Sequence, residues 1–372
     1  MVFISACATA PSAEPLHTSA QYYNFLQPDF SAYRHRRFIT DDIDVELAMN
    51  MPFERQPSKP GDTAVLLVHG LADSPYTFVD IATELARQGV QVQVLLLPGH
   101  GSKPEDLFLP QYRDWQAVVD HYANQLKQQY AHVWLGGFST GANLVSVHAL
   151  RQGGIDGLML WSPAYQTQLT VVEVIAPVVA KFVDWGWRAE ETNPAKYSSA
   201  TVNGFIAYVD SAAAARQAFA EQALDIPALV FLSEADSVVD AAAVLLLFQR
   251  RFRHSSRRLI WYGEELPNTL DTRIEALSMV LPAQRISSAS HMGLTFAANN
   301  PHYGVEGAKK RCDYRLNKAD KMQCLRAENT WYAAWGHKQE QRIYSRLTWN
   351  PYFEDMLQRL QALMQAPHWA KN

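Results

Sequence analysis

The residues Gly137-Phe138-Ser139-Thr140-Gly141 fit the pattern G-x-S-x-G where an apolar run, Val133 to Leu135, gives way to a helical pattern. A chain that turns so tightly from strand to helix presses its two directions together. Glycines on either side of the serine omit the Cβ atoms that would clash, and the hydroxyl is pushed above the sheet. A serine hydroxyl is a weak nucleophile at neutral pH and needs a base to take its proton as it attacks. Histidine is the usual base, because its unperturbed pKa is about 6.5, and a carboxylate fixes its tautomer and stabilises the imidazolium. At an elbow of this kind the partners follow in the order serine, acid, histidine. Asp236 lies just past the apolar run Ala228 to Leu232, and His291 lies in the late loop Ser290-His291-Met292-Gly293.

Neighbouring groups compete for these roles. Glu234 and Asp240 flank Asp236, which is favoured by its place at the loop start before Val238-Val239. His254, His302 and His337 read as surface or satisfied core histidines, and His69 and His100 as holders of loops around the site. The tetrahedral oxyanion needs two backbone donors. One is expected from the amide of Thr140, directly after the nucleophile. The other is expected from Leu71, in the loop His69-Gly70-Leu71-Ala72-Asp73-Ser74.

These residues need a framework, and the hydrophobic pattern supplies one. Val65 to Val68 is a continuous apolar run suited to a strand covered on both faces. Tyr76 to Arg87 reads as a helix, Val92 to Leu97 as a strand, Tyr112 to Gln129 as a helix, and His132 to Gly137 as a strand. A helix at Asn143 to Arg151 and strands at Leu158 to Leu160 and Ala228 to Leu232 continue the alternation. Strands alternating with helices of this length imply βαβ units and a parallel sheet, so the chain is an α/β protein. Ile43 to Leu47 alternates apolar and acidic residues and is expected to form an antiparallel edge strand. Leu259 to Tyr262 and Gln284 to Ile286 compete for the last sheet position.

Two stretches break the rhythm. Residues 163–224 are expected to form a cap insertion over the strand ends, and residues 296–348 an irregular excursion before an amphipathic helix, Pro351 to Met364. Residues 1–40 read as a tether and 41–372 as one domain. Cap aromatics such as Trp161, Tyr165, Trp185 and Trp187 could line an apolar acyl pocket, although such residues more often form ordinary core.

Val65 to Gly70, Leu97-Pro98-Gly99-His100-Gly101, Gly137 to Gly141, Asp236, Ser290-His291 and Trp115 together resemble the carboxylesterase and monoacylglycerol-lipase branch of the α/β-hydrolase superfamily. The resemblance covers roughly residues 60 to 295. It implies the α/β-hydrolase fold, with a mostly parallel central sheet flanked by helices. It also implies hydrolysis of a small-molecule or lipid carboxylic ester through an acyl-enzyme, with Ser139, Asp236 and His291 as catalytic triad. The long segment between Asp236 and His291, and the eighty or so residues after His291, depart from the family pattern.

Composition narrows the rest. The chain has 372 residues, 48% hydrophobic and 19% charged, the profile of a globular enzyme. A net charge of −4 leaves no electrostatic footprint for nucleic acid, and Arg250 to Arg258 reads as a solvated helix end. No apolar run reaches the length of a membrane-spanning helix. No metal motif, dinucleotide fingerprint or phosphate loop occurs, so neither a metal nor another cofactor is expected.

Phe3-Ile4-Ser5-Ala6-Cys7 resembles the end of a bacterial lipoprotein signal, although a charged n-region and most of an apolar h-region are missing. Lipid on Cys7 would attach the protein to a membrane in the cell envelope; the alternative is a cytoplasmic chain. Cys312 and Cys324 would join as a disulfide in the first case and stay thiols in the second. Three rivals to ester hydrolysis stand: a peptidase or amidase with the same triad, with Glu190 and Glu191 offered to a substrate amine; an acyltransferase; and a non-catalytic binding protein on the same fold.

Overall fold

The structure, a computed structural model, describes residues 42–365 apart from 169–172, 174, 176–177, 180, 265–270 and 313–315. The segment read as a tether, with Cys7, lies outside the described residues, as does part of the stretch expected to form a cap. The described elements begin with α1 (Ile43–Asn50), β1 (Phe53–Arg55), β2 (Thr63–Val68), α2 (Val79–Arg87), β3 (Gln91–Leu95), α3 (Tyr112–Gln129) and β4 (His132–Phe138). They continue with α4 (Thr140–Arg151), β5 (Gly157–Trp161), β6 (Trp185–Trp187), β7 (Ala200–Thr201), α5 (Val202–Glu221), β8 (Ala228–Ser233) and α6 (Ala241–Arg251). Last come β9 (Arg258–Tyr262), β10 (Ile274–Leu277), α7 (Lys318–Leu325), β11 (Trp331–Ala333), β12 (Tyr344–Arg346) and α8 (Phe353–Gln365).

Eight strands form the central sheet in the order β1-β3-β2-β4-β5-β8-β9-β10. Every pairing is parallel except β1 with β3, where Phe53 faces Val94. Alternate residues of β2 feed two cores. Ala64, Leu66 and Val68 pack with α3, α4, α5 and α6, whereas Val65 and Leu67 pack with α2, α8 and residues of the C-terminal excursion such as Tyr303, Tyr332 and Trp349. Burial on both faces explains the unbroken apolar runs.

Three expectations are corrected. Ile43 to Leu47 is helical, the start of α1: the Asp42 side chain caps it by accepting from the Val45 amide at 3.1 Å, and Asp44 and Glu46 occupy the first turn. Acidic residues there favour a helix start, and five residues of alternation cannot outweigh a cap. The antiparallel edge strand is instead β1, a few residues later. The final sheet position goes to β10, beside β9, while Pro282–Gln284 forms a 3-10 turn. The framework also resumes earlier than expected. Helix α5, at Val202–Glu221, buries Ala207, Ala212, Ala215 and Ala218 and packs along α4, so the regular framework is back by residue 202.

The excursion after His291 is built mostly from turns. It holds the short parallel pair β11–β12 and the disulfide Cys312–Cys324, and an isolated bridge joins Cys312 to Ser345. Helix α8 then returns to the sheet, burying Phe353, Met356, Leu357 and Leu360. Each such side chain contributes about 1.5–3 kcal/mol on burial. Among the described residues, no helix is long and apolar enough to cross a membrane.

Candidate active site

Strand β4 carries the chain into Ser139, whose φ of 55° and ψ of −116° lie outside the ordinary regions for an L-residue, and α4 leaves directly after it. The surroundings hold this strained turn in place. A Cβ on Gly137 would sit 2.4 Å from the Ala142 nitrogen, and one on Gly141 would sit 2.0 Å from the Val68 carbonyl oxygen. No side chain fits at either position. The Ser139 amide donates to Trp161 O at 2.9 Å, continuing the ladder toward β5, and its carbonyl accepts from Ala142 N at 3.0 Å.

The structure brings the three residues singled out in the sequence into one hydrogen-bonded chain. His291 Nε2 lies 3.1 Å from Ser139 Oγ, and His291 Nδ1 lies 2.7 Å from Asp236 Oδ2. The carboxylate can only accept, so Nδ1 carries the proton and Nε2 accepts from the serine. Asp236 Oδ1 takes the amides of Val238 and Val239, each at 2.9 Å. Burial pushes the Asp236 carboxyl up, but the His291 charge and hydrogen bond and those two amides outweigh it and hold it below the usual carboxylate range. Asp236 is therefore an ionised, fully committed partner. Its competitors are engaged elsewhere: Asp240 caps α6 through Ala243 N, and Glu234 accepts from Glu264 N.

The loop after β2 folds against the nucleophile. A Cβ on Gly70 would lie 3.1 Å from Ser139 Cβ, which fixes how closely this loop approaches. The next residues are shaped by two buried histidines, as the sequence suggested. His69 Nε2 accepts from Leu97 N at 3.1 Å, and His100 Nε2 accepts from Ala72 N at 3.0 Å. Burial lowers the His69 pKa to about 4 and pushes His100 well below its ordinary value, so both stay neutral and able to accept. Ala72 N is taken by His100 and Asp73 N is bonded to Gly70 O, whereas the amide of Leu71 meets no acceptor among the described residues. The amide of Thr140, at the first position of α4, is likewise outside the helical ladder.

His291 is held differently. Ser290 Oγ donates to Leu347 O at 2.5 Å, and Asn350 Nδ2 donates to Leu294 O at 3.2 Å. Leu347 lies at the end of the excursion and Asn350 just after it, and neither contact has a local sequence signal. The remaining histidines stand apart: His302 Nε2 pairs with Asn193 Oδ1 at 3.0 Å, and His337 stacks edge-on with Tyr344. Of the aromatics considered for an acyl pocket, Trp161 and Tyr165 are core. Trp161 packs against Phe78 and Phe231, and the Tyr165 hydroxyl meets Ser146 Oγ at 2.7 Å. Trp185 meets Phe108 edge-on, and Trp187 is exposed at the surface. Among the described residues, no group of three or more His, Cys, Asp or Glu is placed to hold a metal ion.

With the sheet order, the elbow and the late histidine in view, the fold is the α/β-hydrolase fold, and the chain resembles the carboxylesterase and monoacylglycerol-lipase branch of that superfamily. The family model described as serine aminopeptidase, S33, matches residues 59–203. A thermostable monoacylglycerol lipase of Bacillus sp. (strain H-257) is 32% identical over 99 residues, 27% of this chain; the chain spans 40% of the length of that relative. Among solved structures, one from work on LipS and LipT, two metagenome-derived lipolytic enzymes, superposes with a TM-score of 0.50 at 21% identity, covering 57% of this chain and 86% of the other. A monoacylglycerol lipase of Paleococcus ferrophilus matches at a TM-score of 0.49 and 16% identity, covering 68% of this chain and 93% of the other.

Proposed function

We propose that this chain is a serine hydrolase that cleaves carboxylic esters of small molecules or lipids through an acyl-enzyme. The observation that carries the reading is the unbroken chain Ser139 Oγ–His291–Asp236 at 3.1 and 2.7 Å, set on a strained elbow beside two uncommitted amides. In this reading His291 Nε2 takes the Ser139 proton as Oγ attacks the ester carbonyl. The amides of Leu71 and Thr140 receive the oxyanion, and His291 then returns the proton to the leaving alcohol. Water, activated by the same imidazole, releases the acid. Similarity to a relative named as a monoacylglycerol lipase supports an ester substrate.

The peptidase reading draws on the serine aminopeptidase description of the matching family model. Its amine-binding pair is weakened here. Glu191 is spent on the amides of Ser198 and Ser199, at 2.7 and 2.8 Å. Acyl transfer to an alcohol would use the same groups as hydrolysis. The test is hydrolysis of p-nitrophenyl esters from acetate to palmitate by wild type and Ser139→Ala in parallel. The expected result is activity on at least one ester that the substitution abolishes. A folded wild-type protein inert on every ester would overturn the reading and turn attention to amides.

A further inference from the structure

Beside the proposed catalytic residues lies a cluster of cations that ester cleavage itself does not use. Lys196 belongs to the insertion over the sheet, and its neighbours tie it to the loop after β2. Ser74 Oγ donates to Ala195 O at 2.8 Å and Tyr197 N donates to Ala72 O at 2.8 Å, which sets Lys196 opposite Asp73. Arg311 and Arg346 belong to the excursion. Arg346 N donates to Arg311 O at 3.0 Å, next to the bridge between Cys312 and Ser345, so the two arginines are cross-strand neighbours. The insertion and the excursion are joined by Asn193, which meets His302 Nε2 at 3.0 Å and donates to Tyr303 OH at 2.7 Å. The residue after Arg346 is Leu347, whose carbonyl holds Ser290, the neighbour of His291.

Three cations are thus gathered within electrostatic reach of one another and of the reaction centre. Lys196 lies within reach of the charges of Asp73 and both arginines, Arg346 within reach of Asp236, and Asp73 within reach of His291. No hydrogen bond or ion pair among the described residues joins the opposing carboxylates to them: both oxygens of Asp236 are engaged elsewhere, and burial raises the Asp73 carboxyl just as it lowers the Lys196 ammonium. Arg311 and Arg346 each keep a buried Nε without a hydrogen-bond partner. A buried guanidinium nitrogen with no acceptor is costly, and so is an excess of like charge, unless an anion completes the site.

We infer that Lys196, Arg311 and Arg346 form a subsite for an oxyanion group, phosphate or carboxylate, carried by the substrate, so that the preferred ester is anionic near its scissile bond. This rests on the ester-hydrolase reading above. Planar guanidinium forks suit such groups. One charge-assisted contact of about 1.5–3 kcal/mol corresponds to roughly a tenfold to hundredfold preference.

The experiment compares matched pairs: 1-lauroylglycerol against its 3-phosphate, which puts the anion on the alcohol side, and p-nitrophenyl butyrate against mono-p-nitrophenyl succinate, which puts it on the acyl side. Wild type is expected to prefer the anionic member of one pair by about tenfold or more in kcat/KM, mainly through KM. In Lys196→Met and Arg346→Gln that ratio should collapse to near unity, and in Arg346→Lys part of it should return. Thermal melting identifies any variant that fails to fold, and wild-type preference is read without variants. Equal rates on both members of each pair, or variants that lower both members by one factor, would overturn the subsite while leaving the ester reading intact. Wild type inert on all four esters would instead overturn the ester reading, and the subsite with it.

Discussion

Ser139 and His291 meet at 3.1 Å but are positioned by opposite kinds of structure. Ser139 stands between a central strand and a buried helix, and its backbone is locked by the sheet ladder and by glycines that nothing larger can replace. His291 stands in a turn whose place is set by side chains reaching across long stretches of chain, such as Ser290 to Leu347 and Asn350 to Leu294. A regular element positions a group through many small, redundant backbone bonds. An irregular one does it through a few separate pins, each of which can be removed singly. The nucleophile should therefore tolerate changes around it far better than the histidine does.

The largest effect tests the link between the two regions. Asp236→Asn removes the acceptor that sets the imidazole tautomer, and kcat on a p-nitrophenyl ester should fall about 10⁴-fold with the fold retained. A loss of less than tenfold would mean that the turn alone fixes His291. Next, Ser290→Ala deletes one pin and leaves the Leu347 carbonyl without its partner. Misplacement of the imidazole by even an ångström should lower kcat about 10²-fold, and stability should drop by about 1–3 kcal/mol in a denaturant titration. Equal damage from Ser146→Ala, which breaks a contact on the nucleophile's side of the sheet, would erase the contrast.

Replacing Cys312 and Cys324 together by serine should destabilise the excursion by about 3 kcal/mol, as expected for a loop of about a dozen residues. Hydrogen exchange is expected to rise in β11 and β12 before β2 and β4. Uniform exchange across all four strands would mean that the excursion is not a separate unit. The smallest effect is on pH. The Asp236 carboxyl is held below its unfolded value, so its contribution to stability is present above about pH 4 and is lost as pH falls through the folded value. The melting-temperature gap between wild type and Asp236→Asn should shrink as pH falls from about 5 toward 3. A gap that widens over that range would reverse the assigned shift.

The same contrast explains what could be read from sequence. The strand at Val65 to Val68 and the turn at Gly137 to Gly141 are local patterns with local causes, so both were legible. So were His69 and His100 as loop holders, because each reaches only the opposite loop 28 residues away. Ile43 to Leu47 misled because five alternating residues suit a helix turn as well as a strand, and the decisive Asp42 cap lies outside the alternation. Helix α5 was hidden by its alanines, which pack closely against α4 but give little amphipathic contrast. Ile274–Leu277 is too short and too mixed to announce itself as an edge strand. The pins on His291, and the gathering of Lys196, Arg311 and Arg346, depend on contacts that span from dozens to well over a hundred positions, and no local window contains them.

The order in which the residues leave the ribosome gives the excursion another meaning. The elbow is complete once β5 and the Trp161 carbonyl exist, less than halfway along the chain. The histidine loop gains its pin to Leu347 only when that residue emerges, and Met356, which meets the Trp161 indole at 3.1 Å, follows later still. During synthesis the nascent chain thus presents a finished nucleophile with no base to activate it. The segment that completes the site is made long after the elbow, so a chain that stalls or is cut short between the two would carry a folded elbow and stay silent.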